Sequence, residues 1–192
     1  MQASSANTAE NTILVTGGAG FVGSSICLHL CKLWPKATIV ALDNLKRRGS
    51  ELHIPRLKDA GVNFVHGDVR ARADLDGLPR FNAMVECSAE PSVLAGFQDG
   101  ADYLVDTNLG GTINCMREAA KHKADVLFLS TSRVYPIAPI NAACILGPEG
   151  FTIDPANTTA GITERGISED MPLAGARTLY GATKLASEIM VQ

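Results

Sequence analysis

Residues 14–26 read LVTGGAGFVGSSI: an apolar run, glycines at 17, 18, 20 and 23, then a second partly apolar stretch. The run Thr12–Thr16 (TILVT) is short and β-branched, which predicts a strand. From Phe21 to Leu33, Val22, Ile26, Leu30 and Leu33 recur at helical spacing. The glycines therefore join a strand to a helix. A helix N-terminus presents unpaired N–H groups and a partial positive charge. Glycine there lets the chain turn tightly, lets a pyrophosphate approach without meeting a Cβ, and lets helix and strand pack closely. Gly17, Gly20 and Gly23, with Phe21 and Val22 between them, are thus candidate phosphate-binding residues.

Asp43 strengthens this reading. It ends the next predicted strand, 20 residues after Gly23. A carboxylate at that point can accept hydrogen bonds from both ribose hydroxyls of an adenosine. It would also repel a 2′-phosphate, which predicts NAD rather than NADP. Arg47 and Arg48 are the nearby charges that oppose that choice.

The rest of the chain continues the alternation. Strands are expected at Ala37–Leu42, Val62–His66, Ala83–Cys87 and Asp125–Ser130, and helices at Glu51–Ala60, Tyr103–His122 and Thr178–Val191. Pro55 should limit or split the first of these helices. In the second, Leu109, Ile113, Met116 and Ala120 form an apolar stripe. Short apolar strands alternating with helices predict an α/β fold, a doubly wound parallel sheet with helices on both faces. Between Pro136 and Arg177 the period stops, which predicts an irregular, functional insertion.

Composition bounds the class. The chain has 192 residues, 46% hydrophobic and 19% charged, with a net charge of −3. That suits one globular domain and gives no electrostatic case for nucleic acid or an anionic membrane. No apolar run is long enough to span a bilayer. The five cysteines are scattered. Cys27 and Cys31 lie one helical turn apart, but no second pair or histidine cluster completes a metal site, so none is expected. They are read as buried or half-buried thiols, which favours a reducing, cytoplasmic setting. Residues 1–11 are small and polar, without the features of a signal or transit peptide, and are expected to be a disordered tail.

Two further constellations carry chemistry. Tyr180-Gly-Ala-Thr-Lys184 puts a phenol and an ammonium at i and i+4 of a helix. A nearby cation favours the phenolate, which suits Tyr180 to accept a proton from a sugar hydroxyl. Ser130, Thr131 and Ser132 follow the fifth predicted strand, and open α/β sheets bind ligands beyond the carboxyl ends of their strands. Hydroxyls there can steer a substrate oxygen toward the tyrosine.

Together these motifs resemble the extended short-chain dehydrogenase/reductase family. TGGAGFVG is similar to its nucleotide-binding loop, and LDNL (42–45) to the stretch after its second strand. HGDVR (66–70) resembles the element whose Asp68 and Val69 meet the adenine. SAEPSV (88–93) resembles the segment passing under the cofactor, with Glu90 replacing the usual Gln. TNLGGTIN (107–114) is similar to the central helix, whose Asn108 lies near the cofactor. The resemblance implies NAD, bound by Gly17, Gly20, Phe21, Val22, Gly23, Asp43, Asn44, Asp68, Val69, Ser88, Ala89, Asn108, Ser130, Tyr180 and Lys184. It implies Thr131, Tyr180 and Lys184 as the catalytic set. The 49 residues from Thr131 to Tyr180 are more than in most epimerases, which marks 136–177 as an expanded active-site insertion.

Within the family, LDNLKRRGS, FVHGDVR, STSRVYP and LYGATKLASE look most like the CDP-sugar 2-epimerase branch. The implied reaction oxidises a sugar C2 hydroxyl to a ketone, which turns its other face and is reduced again. UDP-sugar 4-epimerases and dTDP-sugar 4,6-dehydratases are the nearest alternatives. Ser132-Arg133 stand where dehydratases carry Asp-Glu, which weakens dehydration. A non-catalytic NAD-binding module is the alternative of another class. Family members run well past three hundred residues, so a chain ending soon after the Tyr180 helix is expected to lack the last strands and the substrate domain. That implies a fragment whose sugar-nucleotide pocket is incomplete and whose turnover is weak or absent. The resemblance further implies a homodimer built from the 103–122 and 178–191 helices.

Overall fold

In the computed structural model, residues 11–97 and 100–192 are described. The expected tail, apart from Asn11, lies outside them. The short β-branched and apolar runs become parallel strands. They are β1 (Thr12–Thr16), β2 (Thr38–Asp43), β3 (Asn63–His66), β4 (Ala83–Glu86) and β5 (Asp125–Phe128). They form one sheet in the order β3-β2-β1-β4-β5. Helices α1 (Phe21–Leu33), α2 (Ile54–Asp59), α3 (Arg72–Asp76), α4 (Ala101–Val105) and α5 (Thr112–His122) fill the crossovers, and α7 (Leu179–Val191) comes last. This is the doubly wound α/β fold the alternation predicted.

Strand periodicity divides the core in two. On one face Ile13, Val15, Ile39, Ala41 and Val85 pack against Cys27 and Leu30 of α1 and Leu57 of α2. On the other, Leu14, Val40, Leu42 and Met84 pack with Leu75 of α3 and with Cys115 and Ala119 of α5. Successive strand residues point to opposite faces, so one five-residue run serves both layers. Phe81, 1% exposed, plugs the lower end of the second layer.

Several local features depart from expectation. The 50–60 helix is split: a 3-10 turn (Ser50–His53) precedes α2, which carries Pro55 in its first turn. Proline is tolerated there because its missing N–H has no partner in that turn. Between α4 and α5 the chain does not wind as a continuous α-helix. Asp106–Gly111 is π-helical. The buried face of this rod carries Leu104, Asn108, Cys115 and Ala119. The expected stripe of Leu109, Ile113 and Met116 is only half-buried, and Ala120 is exposed. β5 ends at Phe128, which leaves Ser130 and Thr131 in the loop beyond it.

The aperiodic stretch 136–177 holds short elements. They are α6 (Ile137–Ala142), a hairpin of β6 (Cys144–Gly147) with β7 (Gly150–Ile153), and a smaller one of β8 (Ile162–Thr163) with β9 (Gly166–Ile167). Ala143, Ile162 and Met171 form a small core of their own, with Tyr135, Ile140 and Ile153 packed around it. No helix among the described residues is long and apolar enough to cross a membrane.

Candidate functional site

The strand order reverses between β1 and β4, and the carboxyl ends of the central strands share one level: Thr16 pairs with Leu42 and with Glu86. Crevices at such switch points are where open α/β sheets bind ligands. The glycine turn sits here. Gly17 has φ +63, and a Cβ on it would lie 2.9 Å from the Cys87 carbonyl oxygen. A Cβ on Gly23 would come within 2.8 Å of the Gly17 carbonyl carbon and nearer still to its oxygen. These two glycines let the loop fold flat between β4 and α1. Gly20 instead faces the cleft, with ordinary backbone angles of −68 and 173, and its N–H donates to Gly17 O at 2.9 Å.

Asp43 clamps this turn from β2. One carboxylate oxygen accepts the Ala19 N–H at 3.0 Å, the other the Leu45 N–H at 2.8 Å. The same residue lines a cleft of about 250 Å³, together with Gly17, Gly20, Asn44, Val69, Ser88 and Ala89. Asp68 stands behind the wall. It accepts from Asn44 Nδ2 at 3.0 Å and from the Arg70 guanidinium, whose Nη2 lies 2.6 Å away. The Arg70 hydrogen bonds hold its carboxyl well below the usual range, at about 2, although partial burial opposes them. Lys46 Nζ and Arg70 Cζ each lie 4.6 Å from the centre of the Tyr103 ring, and Lys46, Arg47 and Tyr103 also line the cleft.

Asn108 is 1% exposed and does not line the cleft. It ties three segments together. Its Oδ1 accepts the Glu90 N–H at 2.8 Å, and its Nδ2 donates to Glu90 O at 3.2 Å. Its own carbonyl accepts Ser187 Oγ of α7 at 2.8 Å. The π-helical turn brings Asn108 to this junction, so the 88–91 loop, the central rod and α7 are fixed to one another. Phe21 and Val22 are 82% and 46% exposed, so their side chains lie outside the cradle and only their backbone is near it. Glu90 lines the cleft, but its carboxylate accepts the Ser92 N–H at 3.1 Å, within its own turn.

The catalytic candidates form a second cluster. Thr131 caps a 3-10 turn (Ser132–Val134), its Oγ1 accepting the Arg133 N–H at 3.2 Å. The first turn of α7 rests on that segment. A Cβ on Gly181 would lie 3.0 Å from the Arg133 carbonyl carbon and closer to its oxygen, so only glycine permits the approach. Thr178 caps α7 through the Gly181 N–H at 3.1 Å. Tyr180 next to this contact is buried, and Lys184 is 3% exposed. The Lys184 ammonium lies 3.9 Å from the centre of the Phe128 ring, over β5. Burial lowers its pKa, and the Glu86 carboxylate acts in the other direction. Ser130 is exposed. Ser130, Thr131, Tyr180 and Lys184 lie outside the lining of the 250 Å³ cleft, which is formed at the end bearing Asp43 and Val69.

Sequence reasoning passed over Glu86, Tyr103 and Thr107. Glu86 is wholly buried at the carboxyl end of β4, beside Thr16. Its signal was a carboxylate inside an otherwise apolar central strand, which burial makes costly. Among the described residues no group of three or more His, Cys, Asp or Glu could hold a metal. The cysteines are free; Cys27 and Cys115 are buried, the others half-buried.

The site suits a dinucleotide. The turn leaves Gly20 without a side chain on the cleft, and the Asp43 carboxylate lines the same cleft. Comparison with known proteins agrees. Residues 13–192 match the NAD dependent epimerase/dehydratase family. UDP-glucose 4-epimerase 1 of Oryza sativa subsp. japonica is 36% identical over 157 residues, covering 73% of this chain and 43% of its own. CDP-paratose 2-epimerase of Salmonella typhi is 28% identical over 128 residues, 64% of this chain and 37% of its own. Among solved structures, the UDP-Glc/GlcNAc 4-epimerase of Campylobacter jejuni superposes with a TM-score of 0.72 at 25% identity. That match covers 94% of this chain and 47% of the other. The chain thus spans less than half the length of these relatives. With its glycine turn, its Asp43 clamp and its match over residues 13–192, the chain belongs to the NAD-dependent epimerase/dehydratase family of extended short-chain dehydrogenases/reductases, whose cofactor is NAD.

Proposed function

We propose that the chain is the NAD-binding part of a nucleotide-sugar epimerase working by transient oxidation, of the CDP-sugar 2-epimerase kind that its motifs LDNLKRRGS, STSRVYP and LYGATKLASE resemble. The observation that carries this is the seat of α7 on the Ser132–Val134 turn through Gly181, the residue that follows Tyr180. The glycine turn and Asp43 would hold the pyrophosphate and adenosine ribose of NAD, with Asn44, Val69, Ser88 and Ala89 along its path. When bound, NAD supplies a reversible two-electron oxidation of an alcohol carbon. Tyr180 takes the proton of the sugar hydroxyl, Thr131 orients that hydroxyl, and Lys184 keeps a positive charge beside them.

The test is direct. Titration calorimetry with NAD should show one site, and Gly20→Ala should weaken it. The absence of any NAD binding by the folded chain would overturn the reading. In the presence of NAD, turnover should be weak or absent; any that is measured should interconvert CDP-tyvelose and CDP-paratose in preference to UDP-glucose and UDP-galactose, and full epimerase activity would overturn the reading of the chain as a fragment. A UDP-sugar 4-epimerase is the second reading, favoured by the 36% identity to the rice enzyme, and the opposite preference would select it.

The same reading includes self-association through α5 and α7. Ile113 and Met116 are only half-buried on α5, and Ile189 and Met190 are 64% and 55% exposed on α7. Sedimentation of the purified chain should show a dimer, and a clean monomer at high concentration would refute this part.

A further inference from the structure

Glu86 is 0% exposed, and its two carboxylate oxygens differ sharply. Oε1 accepts the Ser88 N–H at 3.1 Å, the Ser88 hydroxyl, and the Thr16 hydroxyl at 3.3 Å. Oε2 is buried with no hydrogen-bond partner. Buried polar atoms are nearly always satisfied, so an orphaned carboxylate oxygen calls for an electrostatic partner. The sheet register identifies one. Glu86 pairs with Phe128 on β5, and in-register residues of adjacent parallel strands point to the same face, about 4.8 Å apart. Over that Phe128 ring, 3.9 Å from its centre, sits the Lys184 ammonium. A buried carboxylate and a buried ammonium therefore share one face of the sheet, side by side.

We propose that Glu86 is a positioning residue of the reaction site: its carboxylate is the counter-charge that draws Lys184 onto the sheet face beside Phe128 and keeps it charged. The role rests on the reading of Lys184 as part of the catalytic set. Other titratable groups face the pair. Cys87 and Glu188 face Lys184, and Cys87 and Cys115 feel Glu86. Burial pushes the acidity of Glu86 down and that of Lys184 up, and each group resists the shift in the other. Three donors on Oε1 favour the ionised carboxylate, since a proton on Oε2 would find no acceptor.

The test is an NMR titration of the chain labelled with ¹³Cε-lysine, the Lys184 resonance being the one absent from Lys184→Gln. In Glu86→Gln the Lys184 midpoint should fall by about one pH unit or more, because the charged form loses its partner. Glu86→Asp, which withdraws the carboxylate by one methylene, should fall by less. If Glu86→Gln does not fold, as judged by circular dichroism, Glu86→Asp decides alone. A midpoint unmoved in the folded variant overturns the proposal. The affinity for NAD against pH is the second readout. It should weaken on the alkaline side as Lys184 loses its proton, and Glu86→Gln should move that weakening to lower pH. An alkaline limb that stays in place would overturn the proposal even if Glu86→Gln binds less tightly throughout. If the Lys184 midpoint falls but neither protein binds NAD, the cofactor reading fails while the Glu86–Lys184 pairing stands.

Discussion

Gly20 and Gly23 belong to the same turn but should fail in different ways when given a methyl group. At Gly23 the new Cβ would run into the Gly17–Gly18 backbone, 2.8 Å from the Gly17 carbonyl carbon, 3.0 Å from Gly18 Cα and nearer still to Gly17 O. Ordinary van der Waals contact begins at 3.4 Å, so α1 must retreat from the loop by more than half an ångström. None of these atoms is the end of a flexible side chain. Overpacking of this kind costs about 1–3 kcal/mol, and a clash with backbone that no side-chain rotation can relieve puts Gly23→Ala toward the upper end. At Gly20 the Cβ would approach a single atom, Gly17 O, at 3.1 Å. Its backbone angles are open to any residue, so Gly20→Ala should cost less than about 1 kcal/mol. That methyl group would, however, stand at the cleft, where the proposed reading seats the phosphates of NAD. The dissociation constant for NAD should rise at least about tenfold, equivalent to about 1.4 kcal/mol. Urea unfolding and NAD calorimetry on both variants separate the two effects. Gly23→Ala as stable as the parent, or Gly20→Ala binding NAD normally, would refute the assignment of packing to one glycine and phosphate approach to the other.

Three further outcomes follow from other parts of the molecule. Asp68 has its carboxyl lowered to about 2 by Arg70, so its contribution to stability is full above the unfolded value of about 4 and is lost as pH falls toward 2. Urea midpoints of Asp68→Asn should therefore be lower than the parent at neutral pH and converge with it below about pH 3; parallel curves would count against the ion pair. Gly161→Ala should loosen the 136–177 insertion while leaving NAD affinity intact. Gly161 has φ +75 and its Cβ would lie 2.7 Å from Met171 Cβ and nearer still to the Met171 backbone. Limited proteolysis would read this as faster cutting within 136–177, and unchanged cutting would contradict it. Cys27 and Cys87, both pushed to about 12 by burial, should resist iodoacetamide at pH 8 over times that fully alkylate free cysteine. Rapid labelling of either in the native protein would show that burial does not govern these thiols.

Much of the fold could be read from the chain because its signals are local. A β-branched run, a glycine turn and a 3.6-residue period each announce themselves within a dozen residues. That is why β1, α1, β2 and the place of Asp43 at the end of β2 needed no structure to be found, although its clamp on the Ala19 and Leu45 N–H groups did. What escaped depends on contacts made across the fold. The stripe Leu109–Ile113–Met116 has a helical period but is not the buried one: α5 turns Thr112, Cys115, Glu118 and Ala119 inward, a choice of face made by the layer it packs against. The insertion 136–177 has no period, since its core of Ala143, Ile162 and Met171 is gathered from three separate segments. Glu86 was hidden within a strand, and its significance emerges only when the register sets it beside Thr16 and Phe128.

The wide turn at Asp106–Gly111 acts as a rotary joint in the central rod. A π-turn holds about one residue more than an α-turn, so everything before it is rotated by about 100° relative to everything after. Upstream, Tyr103 can look into the cleft, as Thr107 does from the turn itself; downstream, Cys115 and Ala119 can look into the core. Removing a single residue such as Gly110 would let the turn relax to ordinary α-helix. The two halves would then compete for one azimuth, and either the cleft wall or the sheet layer would lose its side chains.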